Sequence, residues 1–191
     1  MRTKKWIATA IWAGWLLQGS AQTGSAQTAS VDPGLLAKAT AGDAAAEVQV
    51  GAGYAAQHDL QQAAAWYKKA ADQDNPEGEI HLAALYRDGG KGFPRDMEQA
   101  AAWYRKAADQ GDATAQGTLG TLYTLGQGVP RSDAEAYYWL DLAASVKGPN
   151  QAQYAANRQV VGTRITADEL ADVEDRVAKW KAAHPRRESA Q

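Results

Sequence analysis

The stretch "LAALYRDGGKGFPRDMEQAAAWYRKAADQGDA", residues 82–113, decides how the rest of the chain is read, because most of it recurs on either side. Upstream, "WYKKAADQ" at residues 66–73 anticipates "WYRKAADQ" at residues 103–110, 37 positions later. Downstream, "LGTLYTLGQGVPRSDAEAYYWLDLAASVKG", residues 119–148, is a third copy. It aligns Gly90 with Gly126, Gly92 with Gly128, Pro94 with Pro130, Arg95 with Arg131, Ala100 with Ala136 and Trp103 with Trp139, each pair 36 apart. The earliest copy, residues 43–75, keeps Tyr54, Ala63 and Trp66 in the matching roles but has no Gly-x-Gly loop. Tyr54 and Trp66 are 12 residues apart, against 17 and 16 for the corresponding pairs later on. A period in the thirties means stacked supersecondary units, since one such unit cannot bury its apolar face alone.

Each unit reads as two helices. Ala115, Leu119, Leu122 and Tyr123 recur at the three-and-four spacing of one helical face, and Ala136, Trp139, Leu140 and Ala143 do so again after the loop. Between them "GQGVP" supplies glycine for positive φ beyond a helix end and proline to restart the chain. Small residues at Ala100, Ala107, Gly120 and Ala136 let helices approach closely, and the repeated Trp-Tyr pair fills the space between units. The Gly-x-Gly element follows a helix rather than a strand, so it reads as an interhelical turn and not as a nucleotide cradle.

Residues 82–113 closely resemble the Sel-one-like repeat family, long-looped relatives of tetratricopeptide repeats. The resemblance runs over residues 43–148 and is specific in copies two and three, while copy one, with its short "QHD" turn, looks more like a plain tetratricopeptide unit. It implies an all-α fold, a right-handed α-solenoid of stacked helix-turn-helix repeats with a C-terminal capping helix. Members of this family usually act as adaptors or regulators in protein complexes, and many bacterial ones are exported.

The expected organisation is a signal peptide at 1–21 (or ending at Ala26), a linker with a short lead-in helix at 22–42, and repeats at 43–75, 76–112 and 113–148. Capping helices at 149–184 and a tail at 185–191 follow. The signal peptide rests on a basic "MRTKK", the 12-residue apolar run "WIATAIWAGWLL" and small residues after it. That run is shorter than the about 20 residues needed to span a bilayer, so the chain is expected in the periplasm or secreted, with no stable membrane insertion after cleavage. Removing Arg2, Lys4 and Lys5 leaves 17 basic against 22 acidic residues, a spread-out charge of −5 that favours neither nucleic acid nor an anionic membrane. Cysteine is absent, so the core must hold an exported fold without disulfides. Asp32 is the expected cap of the lead-in helix, with Pro33 in its first turn. In "ITADEL", Thr166 and Glu169 form a capping box, with Ile165 and Leu170 as staple.

Nothing in the chain marks a catalytic centre, and no catalytic residue, cofactor or metal is expected. His58, His81 and His184 have no ligand spacing. No serine sits in a nucleophile elbow, and the acidic run from Asp168 to Asp175 has the spacing of a solvated helix face. Some cysteine-rich, exported members of the resembled family are associated with penicillin binding or β-lactam hydrolysis. A cell-wall or β-lactam hydrolase on the same solenoid is therefore the alternative, weakened by the missing cysteine pairs.

On the family's pattern the first helix of each unit lines the concave face. The expected binding positions for a protein or peptide partner are then Glu77, Ile80, His81, Ala84, Arg87 and Asp88 in copy two. In copy three they are Thr114, Thr118, Thr121 and Thr124, together with Gly117 and Leu125. Threonine is a mediocre helix former, yet Thr114, Thr118 and Thr121 stand four and three apart on the face away from Leu119 and Tyr123, a row of hydroxyls suited to an extended peptide. Lys68, Lys69 and Arg105 are expected to point outward, and Trp103 to lie in the core between units.

Overall fold

The structure, a computed structural model, describes residues 32–185; the expected signal peptide and the last six residues of the tail lie outside that range. The described residues form α1 (Pro33–Thr40), α2 (Ala44–Ala56), α3 (Leu60–Ala71), α4 (Pro76–Asp88), α5 (Met97–Asp109), α6 (Ala113–Leu125), α7 (Asp133–Ala144), α8 (Gln151–Gly162) and α9 (Ala167–Ala183). Each helix packs on the next from α1 to α8, and α9 leans back on α7. This is an all-α solenoid of stacked helices ending in a terminal helix. The lone extended pairing among the described residues is the Gly90–Phe93 bridge in the α4–α5 loop.

The helix starts follow from short polar side chains. Asp32, Asp43, Asp59, Asn75, Asp96, Asp112, Ser132 and Thr166 each accept an N–H from the first turn of the helix they precede. Each such bond satisfies a donor that the helix leaves without an internal partner. Thr166 also forms the capping box with Glu169.

Three loops of different length make one repeated contact. The carbonyl of Tyr54 accepts the N–H of Asp59 at 3.0 Å, that of Tyr86 the N–H of Asp96 at 2.7 Å, and that of Tyr123 the N–H of Ser132 at 3.1 Å. A tyrosine near the end of each first helix thereby anchors the start of the second, whatever lies between them. In copy one a left-handed His58, φ 59°, turns the chain. In the longer loops the work is done by glycine. Gly89 and Gly126 cap α4 and α6 with φ of 63° and 67°. A Cβ on Gly89 would meet the Arg95 amide nitrogen at 2.8 Å, and one on Gly126 the Arg131 Cβ at 3.2 Å. The structural partner of Gly126 is therefore Gly89, not Gly90 as the 36-residue alignment has it; the α4–α5 loop is one residue longer. Gly128 is the tightest position, where a Cβ would lie 1.9 Å from the Met97 carbonyl oxygen at the start of the preceding unit's second helix.

Packing follows the alanines. In α5 the buried stripe is Ala100, Ala101, Tyr104, Ala107 and Ala108. Tyr104, 2% exposed, is its fully buried aromatic. Trp103 is only half-buried and bridges two core clusters from their margin. The core position thus belongs to its neighbour, because the stripe is centred between the two alanine pairs and Trp103 falls at its edge. In α7 the register differs: Trp139 is 1% exposed, with Tyr138 edge-on at 4.8 Å. Arg105 is not a free outward charge either. It hydrogen-bonds the Tyr123 hydroxyl and lies over the Trp139 ring at 5.2 Å.

In units one and two the repeated "ADQ" follows the second helix with a glutamine that reaches back into its own unit. Gln73 Nε2 donates to Glu47 Oε2 at 2.7 Å, and Gln110 Nε2 to Glu79 Oε2 at 2.8 Å. Glu47 and Glu79 are 3% and 0% exposed. Burial raises the pKa of both carboxyls, and that of Glu79 reaches about 7.

Candidate partner-binding face

The expected binding positions lie on α4 and α6, the first helices of units two and three. On α4, Glu77 and Asp88 are exposed at the two ends and Ile80, His81, Ala84 and Arg87 are half-buried between them. These side chains are not all free for a partner. His81 stacks on Tyr67 of the preceding unit, ring centroids 4.9 Å apart and planes within 15°. Arg87 grips Asp88 through Nε and Nη2 at 2.7 and 2.8 Å, and its Nη1 donates to the Tyr104 hydroxyl at 3.1 Å. The hydrogen bond from Arg87 holds the Asp88 carboxyl below its ordinary pKa and raises that of the guanidinium. Arg87 is therefore a strut across the unit as well as a surface charge, and replacing it strands the Tyr104 hydroxyl. Ile80 packs against the core.

On α6, Thr114 is exposed and Thr118, Thr121 and Thr124 are half-buried. The Thr121 and Thr124 hydroxyls donate to the carbonyls of Gly117 and Gly120 at 3.0 and 2.9 Å, so they offer a partner lone pairs rather than protons. Gly117 is buried, because Tyr154 of α8 lies over it: a Cβ there would stand 2.2 Å from the tyrosine ring. α8 thus forms a wall beside the threonine row. Between them runs a cleft of about 180 Å³ lined by Thr121, Thr124, Leu125, Asn157, Val160 and Val161. Leu125 and Val160, 57% and 59% exposed, are the exposed large hydrophobic residues among those described. The residues that sequence reading missed, Asn157 and Val160, lie in a stretch read simply as a cap. The signal available was the apolar pair Val160-Val161, of which one residue had to face outward on any helix.

The described residues contain no group of three or more His, Asp or Glu placed to hold a metal ion, and no helix long and apolar enough to cross a membrane.

Comparison with known proteins gives the same architecture. No curated protein matches this chain. Among solved structures, a protective antigen of uropathogenic Escherichia coli displaying an SLR fold superposes with a TM-score of 0.68 at 30% identity, over 82% of this chain. The match spans only 35% of that antigen. A Sel1 repeat protein from Oxalobacter formigenes matches 66% of this chain and 95% of its own length, with a TM-score of 0.58 and 26% identity. The Sel1 repeat model itself matches residues 44–75, 76–112 and 113–145, over half of the chain. A scaffold of stacked two-helix units, this chain belongs to the Sel1 repeat family.

Proposed function

We propose that the protein is exported to the bacterial envelope and captures a protein or peptide segment along the face built from its first helices, acting as an adaptor or regulator there. The observation that carries the reading is the α6–α8 cleft. Two large exposed apolar side chains, Leu125 of α6 and Val160 of α8, share its lining with a threonine row that presents acceptor oxygens. Apolar side chains flanking a few convergent polar atoms are what an extended or helical segment needs for adhesion and orientation. The polar positions Glu77, His81 and Thr114 continue the surface along α4 and α6.

Crosslinking in intact cells, with capture identified afterwards, tests this. Leu125→Ser together with Val160→Ser removes exposed apolar surface without touching the core, so the helical circular dichroism should stay unchanged while capture falls severalfold. Lys179→Ala on the exposed face of α9 serves as control and leaves capture intact. Capture unaffected by the double change, or abolished by the control, refutes the assignment. Export is read separately: intact mass of the periplasmic protein should correspond to a start at Gln22 or Gln27. Turnover of a β-lactam or of peptidoglycan by the purified chain would favour the hydrolase instead.

A further inference from the structure

Unit three departs from units one and two at one pair of buried positions where its neighbours make a polar contact. Four residues after the N-cap, every first helix carries a buried polar side chain: Glu47 after Asp43, Glu79 after Asn75, Gln116 after Asp112. Fourteen residues after the N-cap of the second helix stand Gln73, Gln110 and Val146, counted from Asp59, Asp96 and Ser132. In the first two units the glutamine carboxamide closes on the buried carboxylate at 2.7 and 2.8 Å. In the third, valine has no donor to give. Gln116, 1% exposed, donates its Nε2–H to the Ala108 carbonyl at 3.1 Å, which fixes the other amide atom as the acceptor. That Oε1 is buried with no hydrogen-bond partner among the described residues.

A cavity of about 300 Å³ lies at the same place, with Gln116, Leu142 and Val146 on one side and Gln110 on another. The end of α9 closes it with Trp180 and His184, whose rings stack at 4.1 Å within 13° of parallel. Gly111, with φ 93°, brings the α5–α6 turn against the Trp180 ring, where a Cβ would sit 3.4 Å away. The cavity therefore sets Gln116, whose Oε1 is a buried acceptor without a partner among the described residues, beside an apolar and aromatic wall, the composition of a small-ligand site.

We propose that this cavity binds a primary carboxamide on a short aliphatic arm, whose N–H takes the place on Gln116 that the Gln73 and Gln110 amides take on Glu47 and Glu79. Turning the Gln116 amide away from the Ala108 carbonyl presents Oε1 to the cavity, and the ligand's N–H offsets the hydrogen bond given up. The acceptor is neutral, so a neutral donor is preferred over an ammonium, whose charge would be desolvated there without a counter-charge. Leu142, Val146 and Trp180 cover the methylene arm. The site is separate from the α6–α8 cleft and does not rest on the reading of that surface.

Titration of the purified chain, followed by NMR at the Gln116 side-chain amide and the Trp180 indole N–H, tests it with three probes. Propionamide should give saturable shifts at both, with affinity at least about tenfold above that of N,N-dimethylpropionamide, which keeps the acyl group and lacks the N–H; a charge-free buried hydrogen bond accounts for that ratio. N-acetylglutamine N-methylamide separates the two sources of such a group. Tighter binding than propionamide assigns the ligand to a glutamine side chain on a peptide, and weaker binding assigns it to a free small amide. Val146→Gln restores the pair of the first two units, so it should abolish the propionamide response and raise Tm. Gln116→Leu, which removes the acceptor, should abolish it too and serves if the first variant fails to fold. Equal binding of the two simple amides, the lack of any saturable shift, or full binding by either variant overturns the proposal.

Discussion

Glu79→Gln should stabilise the protein, and only above the acid range. The carboxyl is fully buried, with Oε2 accepting from Gln110 and Oε1 without a partner among the described residues. Burial pushes its pKa from 4.5 to about 7; Lys106 and the Gln110 hydrogen bond pull it down and Asp74 and Asp109 push it up, by less. The folded state then holds a proton that the unfolded chain releases between those two values. Stability from this group is complete below pH 4.5, falls as pH rises, and is flat above pH 7. The full loss corresponds to roughly 3 kcal/mol at about 1.4 kcal/mol per pH unit, reduced to about 1–2 kcal/mol once screening around Lys106 and local relaxation are allowed for. Glutamine keeps an acceptor for Gln110 without the charge, and Gln116, four residues after the N-cap of α6 as Glu79 is of α4, shows that a neutral amide is accommodated at this position. Urea denaturation at pH 5 and pH 8, followed by circular dichroism, should show the variant about 1–2 kcal/mol more stable at pH 8 and within about 0.5 kcal/mol of the parent at pH 5. A variant less stable at pH 8, or a gain of equal size at both pH values, would refute the reasoning.

Urea denaturation measures the remaining three expectations as well. Tyr104→Ala should cost about 3–5 kcal/mol as a buried aromatic truncation, and Trp103→Ala clearly less, about 1–2 kcal/mol, because that ring is half-exposed; the reverse order would mean that Trp103 is the core residue after all. Gly128→Ala places a Cβ against the Met97 carbonyl in a backbone with φ 70° and should lose more than about 3 kcal/mol, whereas Gly42→Ala, φ 92° with nothing within 4 Å of its Cβ, should lose about 1 kcal/mol of backbone strain alone. Arg105→Ala should cost about 1–2 kcal/mol through loss of its stacking on Trp139 and its bond to Tyr123, while Lys179→Ala should stay within about 0.5 kcal/mol.

The sequence by itself determined that the chain is a stack of two-helix units, because what marks them is local. The aspartates, asparagine and serine that cap each helix bond within three residues, and the alanines at 63, 100 and 136 mark a face whose period is read along one helix. The Thr166–Glu169 box was legible for the same reason. Neighbours decided the rest. Which of Trp103 and Tyr104 points inward depends on where the adjacent unit centres its contact, since both satisfy helical spacing. The equivalence of Gly89 and Gly126 shows only when Arg95 and Arg131 come against them. Arg87 and Arg105 looked like surface charges until Tyr104 and Tyr123, 17 and 18 residues away, supplied their partners. The face proposed for binding changed most: α8, read from sequence as a plain cap, lies over Gly117 and turns an open row of threonines into one side of a cleft. No local rule says where a helix past the last repeat comes to rest. That position is set by the apolar surface the third unit leaves uncovered, and such surface exists only once the units have stacked.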